Sequence, residues 1–85
     1  MIHITFTRRA LRDIKKLSLE SRRRTELAID VLFDDVRAGD GLHGKWEGYW
    51  KLRAGDYRII YLIKDEGHVE IQYVRHRRRA YQRNR

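Results

Sequence analysis

The sequence predicts an α+β domain of order β-α-α-β-β-β, with an N-terminal helical hairpin packed on one face of a small, mainly antiparallel four-stranded sheet. Three observations predict it. Apolar residues recur at helical spacing from Ala10 to Leu17 and again from Leu27 to Val36. Residues 49–53, 57–63 and 68–75 are rich in aromatic and β-branched side chains and are separated by two glycine-containing turns. No proline, repeat or low-complexity linker interrupts the 85 residues, so residues 1–85 are read as one domain.

Taken in order, IHITF at residues 2–6 alternates as a short strand. Thr7 is a helix N-cap. Ala10, Leu11, Ile14 and Leu17 make the apolar stripe of the first helix, and Arg8, Arg9, Arg12, Lys15 and Lys16 cover its other face. Residues 18–21 are read as a break. A second helix is expected from about Ser21 to Ala38, with Leu27, Val31, Leu32, Phe33 and Val36 inward and Gly39 ending it. Four of the six glycines fall in residues 39–48, a loop that must bury Leu42 and Trp46. YWKLRAGDYRIIY, residues 49–61, reads as a hairpin turning at Ala54-Gly55-Asp56. A second turn over residues 64–67 leads to a last strand. There, strict alternation puts Val69, Ile71 and Tyr73 on one side and His68, Glu70, Gln72 and Val74 on the other. The sheet face away from the helices is left for a polar, basic surface.

Charge narrows the partner. The chain carries 20 Lys and Arg against 12 Asp and Glu, a net +8. Residues 1–40 hold nine basic and seven acidic groups, residues 41–85 eleven and five, and the last eleven residues six arginines and no acid. Such asymmetry points to a polyanion, nucleic acid first and an acidic protein second. Arginine in place of lysine in the tail favours phosphate forks and base stacking. Cysteine is absent, so disulfides and thiolate metal sites are excluded. His3, His43 and His68 are scattered without metal-ligand spacing, and no metal or cofactor is expected. The longest uncharged apolar run, residues 59–63, is far short of the roughly 20 residues that span a bilayer. Nothing resembles a signal peptide, and a cytoplasmic protein with no membrane contact is expected.

The candidate chemistry lies on the hairpin. Lys51, Arg53 and Arg58 ride on what should be the best-packed strands of a small domain, and cations held on a stiff sheet suit binding or chemistry at a phosphate. With KLRAGDYRIIY at 51–61, a Trp/Tyr strand and glycine-rich segment before it, and VRHRRRAY at 74–81 after it, the whole chain resembles the RelE/ParE superfamily of toxin–antitoxin toxins, and its RelE branch in particular. That family has the β-α-α-β-β-β fold.

The resemblance implies the toxin of a type II toxin–antitoxin system. Its activity would be that of an mRNA interferase, an endoribonuclease that cuts mRNA in the ribosomal A site. The 2′-hydroxyl attacks the neighbouring phosphate, leaving a 2′,3′-cyclic phosphate and a 5′-hydroxyl. The implied partners are the ribosome with its mRNA and a cognate RelB-like antitoxin, acidic or amphipathic, that wraps the toxin in a hetero-oligomer. The family's strand lysine falls on Lys51, its motif arginine on Arg58, its C-terminal basic residue on Arg77 and its C-terminal tyrosine on Tyr81. Arg53 sits in the family's Leu-Arg dipeptide. His76 is added because a C-terminal histidine takes part in related branches. Where some members carry a further lysine, this chain has Tyr49.

In-line cleavage needs a group to take the 2′-hydroxyl proton, charge to stabilise the pentacoordinate phosphorus, and a proton for the departing 5′-oxygen. Guanidinium forks on Arg58 and Arg77 suit the second task. Lys51 and Tyr81 are the candidates for the proton transfers, provided neighbouring cations depress their pKa values. Arg78 and Arg79, with Arg22 and Arg23 on the second helix, are expected to contact RNA phosphates, which carry affinity without sequence choice. Each has a plainer alternative: Lys51 as a solvated strand residue, Arg58 paired structurally with Glu70 or Asp56, Tyr81 as packing, residues 22–24 as a solvated helix face. Two other readings of the fold stand beside the nuclease: a ParE-like inhibitor of gyrase, and an inert RNA-binding member.

Overall fold

The computed structural model describes residues 1–79. Among them the elements run β1 (His3–Phe6), α1 (Arg8–Lys15), α2 (Leu19–Val31), β2 (Asp40–Gly41), β3 (Tyr49–Ala54), β4 (Tyr57–Asp65) and β5 (His68–His76), with a 3₁₀ turn at Gly44–Trp46. The strands form one sheet of order β1-β5-β4-β3-β2. β1 lies parallel to β5, and every other pairing is antiparallel. The α+β class and the helical hairpin are as the sequence predicts. The sheet has five strands rather than four, because Asp40 and Gly41 pair with Lys51 and Trp50.

Thr7 joins β1 to α1 by local chemistry. Its backbone is extended (φ −72°, ψ 163°), and its Oγ1 accepts the Ala10 N–H at 3.0 Å, the geometry of an N-cap. The same hydroxyl donates to the Gln72 carbonyl at 2.6 Å. β1 pairs only with residues 68–71 of β5, which leaves the far half of that strand without a strand neighbour on that side. Side chains of α1 cover it instead: Asp13 Oδ2 accepts the Val74 N–H at 3.0 Å, and the Arg9 guanidinium sits 4.4 Å above the Tyr73 ring. An exposed strand edge is thus closed without another strand.

The second helix departs from expectation at both ends. Ser18, read as part of a break, is the N-cap, accepting the Ser21 N–H at 3.1 Å. The helix stops at Val31, not near Ala38. Residues 32–38 turn through shorter bonds, such as Asp34 N–H to Val31 O at 3.0 Å and Ala38 N–H to Asp35 O at 3.1 Å. Two acids at the negative end of the helix dipole disfavour its continuation, and the Asp35 carboxylate accepts the Arg37 N–H at 3.0 Å. The inward stripe shifts accordingly. Thr25, Ile29 and Leu32 are buried, whereas Leu27 is 68% and Phe33 50% exposed.

The core lies between the helices and one sheet face. Ala10, Ile29 and Leu32 meet Ile59, Tyr61, Val69, Ile71 and Val74, with Trp50 and Leu52 partly buried beside them. Burial of side chains this size contributes about 1.5–3 kcal/mol each.

Strict alternation fails at Gln72. Residues 60 and 61 of β4 face Tyr73 and Ile71 of β5, so Gln72 is an extra residue, a β-bulge. The bulge reverses the phase of everything after it. Val69, Ile71 and Val74 face the helices, while Tyr73 and Arg75 move to the open face, contrary to the alternation expected from sequence. Ile60 and Tyr73 are both buried yet stand outside the core cluster, as residues on the opposite face must.

Candidate nucleic-acid interface

The pairing register arranges the open face in rows across the strands. One row is Arg53, Arg58 and Arg75, on β3, β4 and β5. The next is Asp40, Lys51, Ile60 and Tyr73, with Arg9 stacked on the tyrosine. The row beyond holds Tyr49, Leu62 and Glu70. Neighbouring strands lie about 4.8 Å apart, and residues two along a strand about 7 Å apart. Lys51, Arg53 and Arg58 therefore project from one rigid patch of the sheet.

The turn that anchors this patch is sharp. Gly55 has φ +61°, a conformation costly for other residues, and α2 packs against it: a Cβ there would lie 3.0 Å from Arg24 Nη1. Arg58 is not paired with Glu70 or Asp56. Its Nη1 donates to the carbonyls of Gly55 at 3.2 Å and Tyr57 at 3.0 Å, which aims the fork along the hairpin. Lys51 is half-buried between Asp40 and Ile60.

The other sequence-predicted residues are distributed as follows. The Arg77 N–H donates to the Asp56 carbonyl at 2.8 Å, which ties the exposed arginine run to the hairpin turn. Arg78 and Arg79 are exposed, and their N–H groups bond His76 Nδ1 at 3.3 Å and His76 O at 2.7 Å. His76 itself lies on the helix side of the sheet, edge-on to Tyr57 with ring centroids 5.6 Å apart, away from Lys51 and Arg58. Arg22 donates to the Lys15 carbonyl at 3.0 Å, closing the end of α1. Arg23 is exposed, and its neighbour Arg24 pairs with Glu20 at 3.0 Å. Tyr81 lies outside the described residues. Trp50 packs on the core and stacks on Tyr61 at 6.2 Å, and Trp46 meets Tyr49 edge-on at 5.6 Å.

Three residues of this face escape the sequence reading. Arg75 arrives by the bulge. Arg9, read as helix surface, wraps the free edge of β5. Asp40 faces Lys51 only because a two-residue strand forms. Tyr61 holds that strand in place: its hydroxyl donates to the Val36 carbonyl at 2.8 Å and accepts the Gly39 N–H at 3.2 Å. Burial raises the Tyr61 pKa above its usual value of 10.0, and the Asp35 and Asp40 carboxylates push the same way against the Gly39 hydrogen bond. Gly39 in turn lies flat on Lys51, where a Cβ would collide with the lysine carbonyl oxygen. Among the described residues, no group of three His, Cys, Asp or Glu side chains is placed to hold a metal, and no helix is long and apolar enough to cross a membrane.

Known proteins share this fold. The family described as the ParE toxin of the type II toxin–antitoxin system, parDE, matches residues 4–81. Toxin RelE of Mycobacterium tuberculosis is 31% identical over 88 aligned positions, covering 96% of this chain and 88% of the relative. The toxin–antitoxin complex RelBE2 of the same organism contains a chain 33% identical, with TM-score 0.76 and coverage of 88% of this chain and 96% of that one. The intact Escherichia coli RelBE complex matches in fold, at TM-score 0.72 and 23% identity, over 87% of this chain and 94% of that one. With the β-α-α-β-β-β core and the basic hairpin in place, the chain belongs to the RelE/ParE family and is a toxin of a type II toxin–antitoxin system.

Proposed function

We propose that this toxin is a ribosome-dependent endoribonuclease that acts in the cytoplasm as one domain over residues 1–85 and cleaves mRNA in the A site. The observation that carries the reading is the shared open face of Lys51, Arg53 and Arg58, held by three paired strands. Preorganised cations on a stiff support stabilise charge developing on phosphorus without reorganising during the reaction. The 2′-oxygen attacks the adjacent phosphorus as its proton leaves. The P–O5′ bond breaks as the 5′-oxygen gains a proton, giving a 2′,3′-cyclic phosphate and a 5′-hydroxyl. Arg58 and Arg77 neutralise the pentacoordinate phosphorus, and Lys51 and Tyr81 are the residues proposed to move the protons. Arg53, Arg78 and Arg79 hold RNA around the reacting bond, while His76 and, on α2, Arg22 and Arg23 stand on the helix side and contact phosphates farther from it.

The neutralising partner is a RelB-like antitoxin forming a toxin–antitoxin hetero-oligomer. Support comes from the mainly apolar groove between β1 and the two helices, lined by Ile4, Phe6, Leu11, Ile14, Ile29 and Phe33 with Glu26 and Asp30 of α2 beside them, which suits the apolar stripe of an amphipathic segment. Mapping mRNA ends on stalled ribosomes in a translation extract tests the activity. Arg58→Ala should cut at a rate lower by about 10²–10³-fold, the usual cost of one lost charge-stabilising donor. Cleavage at the parent rate refutes the assignment.

A second reading, a gyrase inhibitor without RNA chemistry, is favoured by the ParE description of the matching family. Accumulation of gyrase–DNA breaks without mRNA cleavage selects it.

A further inference from the structure

We propose that Arg53, Arg58 and Arg75 form a phosphate track that carries a single RNA strand across the sheet, perpendicular to β3, β4 and β5, with Arg75 as an additional RNA-binding residue. The proposal rests on the nuclease reading of this face and adds the direction of the substrate and the residue at the far end.

Register supplies the first argument. Arg53 stands opposite Arg58, and Arg58 opposite Arg75. At about 4.8 Å per strand the row spans about 10 Å at the backbone. One guanidinium fork already serves the two free oxygens of one phosphate, so three forks in line serve successive phosphates.

Energetics supply the second. Like charges directly opposite on neighbouring strands destabilise a sheet. Arg53 and Arg58 are such a pair, and neither forms an ion pair with a described carboxylate. Free protein bears this repulsion, and a bound polyanion relieves it.

The row is also constructed by the fold. Without the extra residue at Gln72, Arg75 would face the helices and the track would hold two cations. The bulge is fixed from outside the strand, since Thr7 bonds the Gln72 carbonyl and Asp13 the Val74 N–H. Bulges of this kind commonly re-aim a side chain beside a functional site. Beyond the row the chain continues into the exposed Arg77, Arg78 and Arg79, which add positive charge beside the hairpin turn, where the Arg77 N–H bonds the Asp56 carbonyl.

The test measures fluorescence anisotropy of a short single-stranded 2′-O-methyl RNA, which cannot be cleaved, as a function of KCl concentration. Arg75→Gln should weaken binding about 10- to 100-fold at low salt and reduce the slope of log K against log salt by about 0.7, one single-strand phosphate contact. Arg75→Lys should keep most of the slope. Arg53→Gln, at the other end of the row, should repeat the glutamine result and serves if Arg75→Gln fails to fold by circular dichroism. An unchanged slope in both glutamine variants overturns the track. So does RNA binding that persists while an acidic antitoxin peptide no longer binds, which would assign the row to the protein partner. Cleavage in the translation extract is scored separately. Loss of the track with cleavage intact refutes this inference alone, whereas a parent that binds the RNA but never cleaves mRNA refutes the nuclease.

Discussion

Replacing Tyr61 by phenylalanine removes one oxygen from a fully buried ring, and the consequence can be worked from three observations. The hydroxyl donates to the Val36 carbonyl at 2.8 Å and accepts the Gly39 N–H at 3.2 Å, both in partly buried surroundings. A neutral hydrogen bond contributes about 1 kcal/mol net, and a buried backbone group left unpaired costs about 1–3 kcal/mol. The ring still packs on Trp50, so Tyr61→Phe should lose roughly 2 kcal/mol. For a domain of this size that lowers Tm by about 8–16 °C. The pH dependence has a definite sign. Burial, reinforced by Asp35 and Asp40, raises the phenol pKa in the folded state, so between 10.0 and that higher value the unfolded chain has released a proton that the folded chain keeps. Stability from this group is complete below pH 10 and falls as pH rises, by at most about 1.4 kcal/mol per pH unit. Denaturant titrations of parent and Tyr61→Phe from neutral pH to above 10 measure both effects. A variant within about 0.5 kcal/mol of the parent at neutral pH, or one with the parent's alkaline decline, refutes the role given to the hydroxyl.

Two further substitutions test how the patch is built. Gly39→Ala forces a methyl group onto the Lys51 carbonyl, which is backbone and cannot swing aside; denaturation should register a loss of about 1–3 kcal/mol or more, and parent-like stability would show that β2 does not press on β3. Asp13→Ala leaves the Val74 N–H at the strand edge without its acceptor; a loss of about 1–3 kcal/mol is expected, with faster amide exchange at Val74, and unchanged exchange would remove Asp13 from the edge.

How much of this was legible in advance varied with the range of the interaction. Thr7 as a cap, the turn at Gly55 and the placement of Lys51, Arg53 and Arg58 on neighbouring strands follow from residues close in sequence, and sequence finds them. The end of α2 did not follow. An apolar period continues through Leu32, Phe33 and Val36, but Asp35 bonds the Arg37 N–H and Tyr61, 25 residues from Val36, takes that residue's carbonyl. The four-strand count failed for a similar reason, since a two-residue strand carries no periodicity and exists only against β3.

Local chemistry alone determined the order of elements, the basic hairpin and the excess of positive charge near the C-terminus, because caps, turns and alternation act over a few residues. Tertiary structure alone decided which side chains share the open face. One extra residue at Gln72 exchanges Val74 and His76 for Tyr73 and Arg75. That residue is accommodated because β1 pairs only as far as Ile71 and α1 bonds the strand beyond it, through partners more than 60 positions away in the chain.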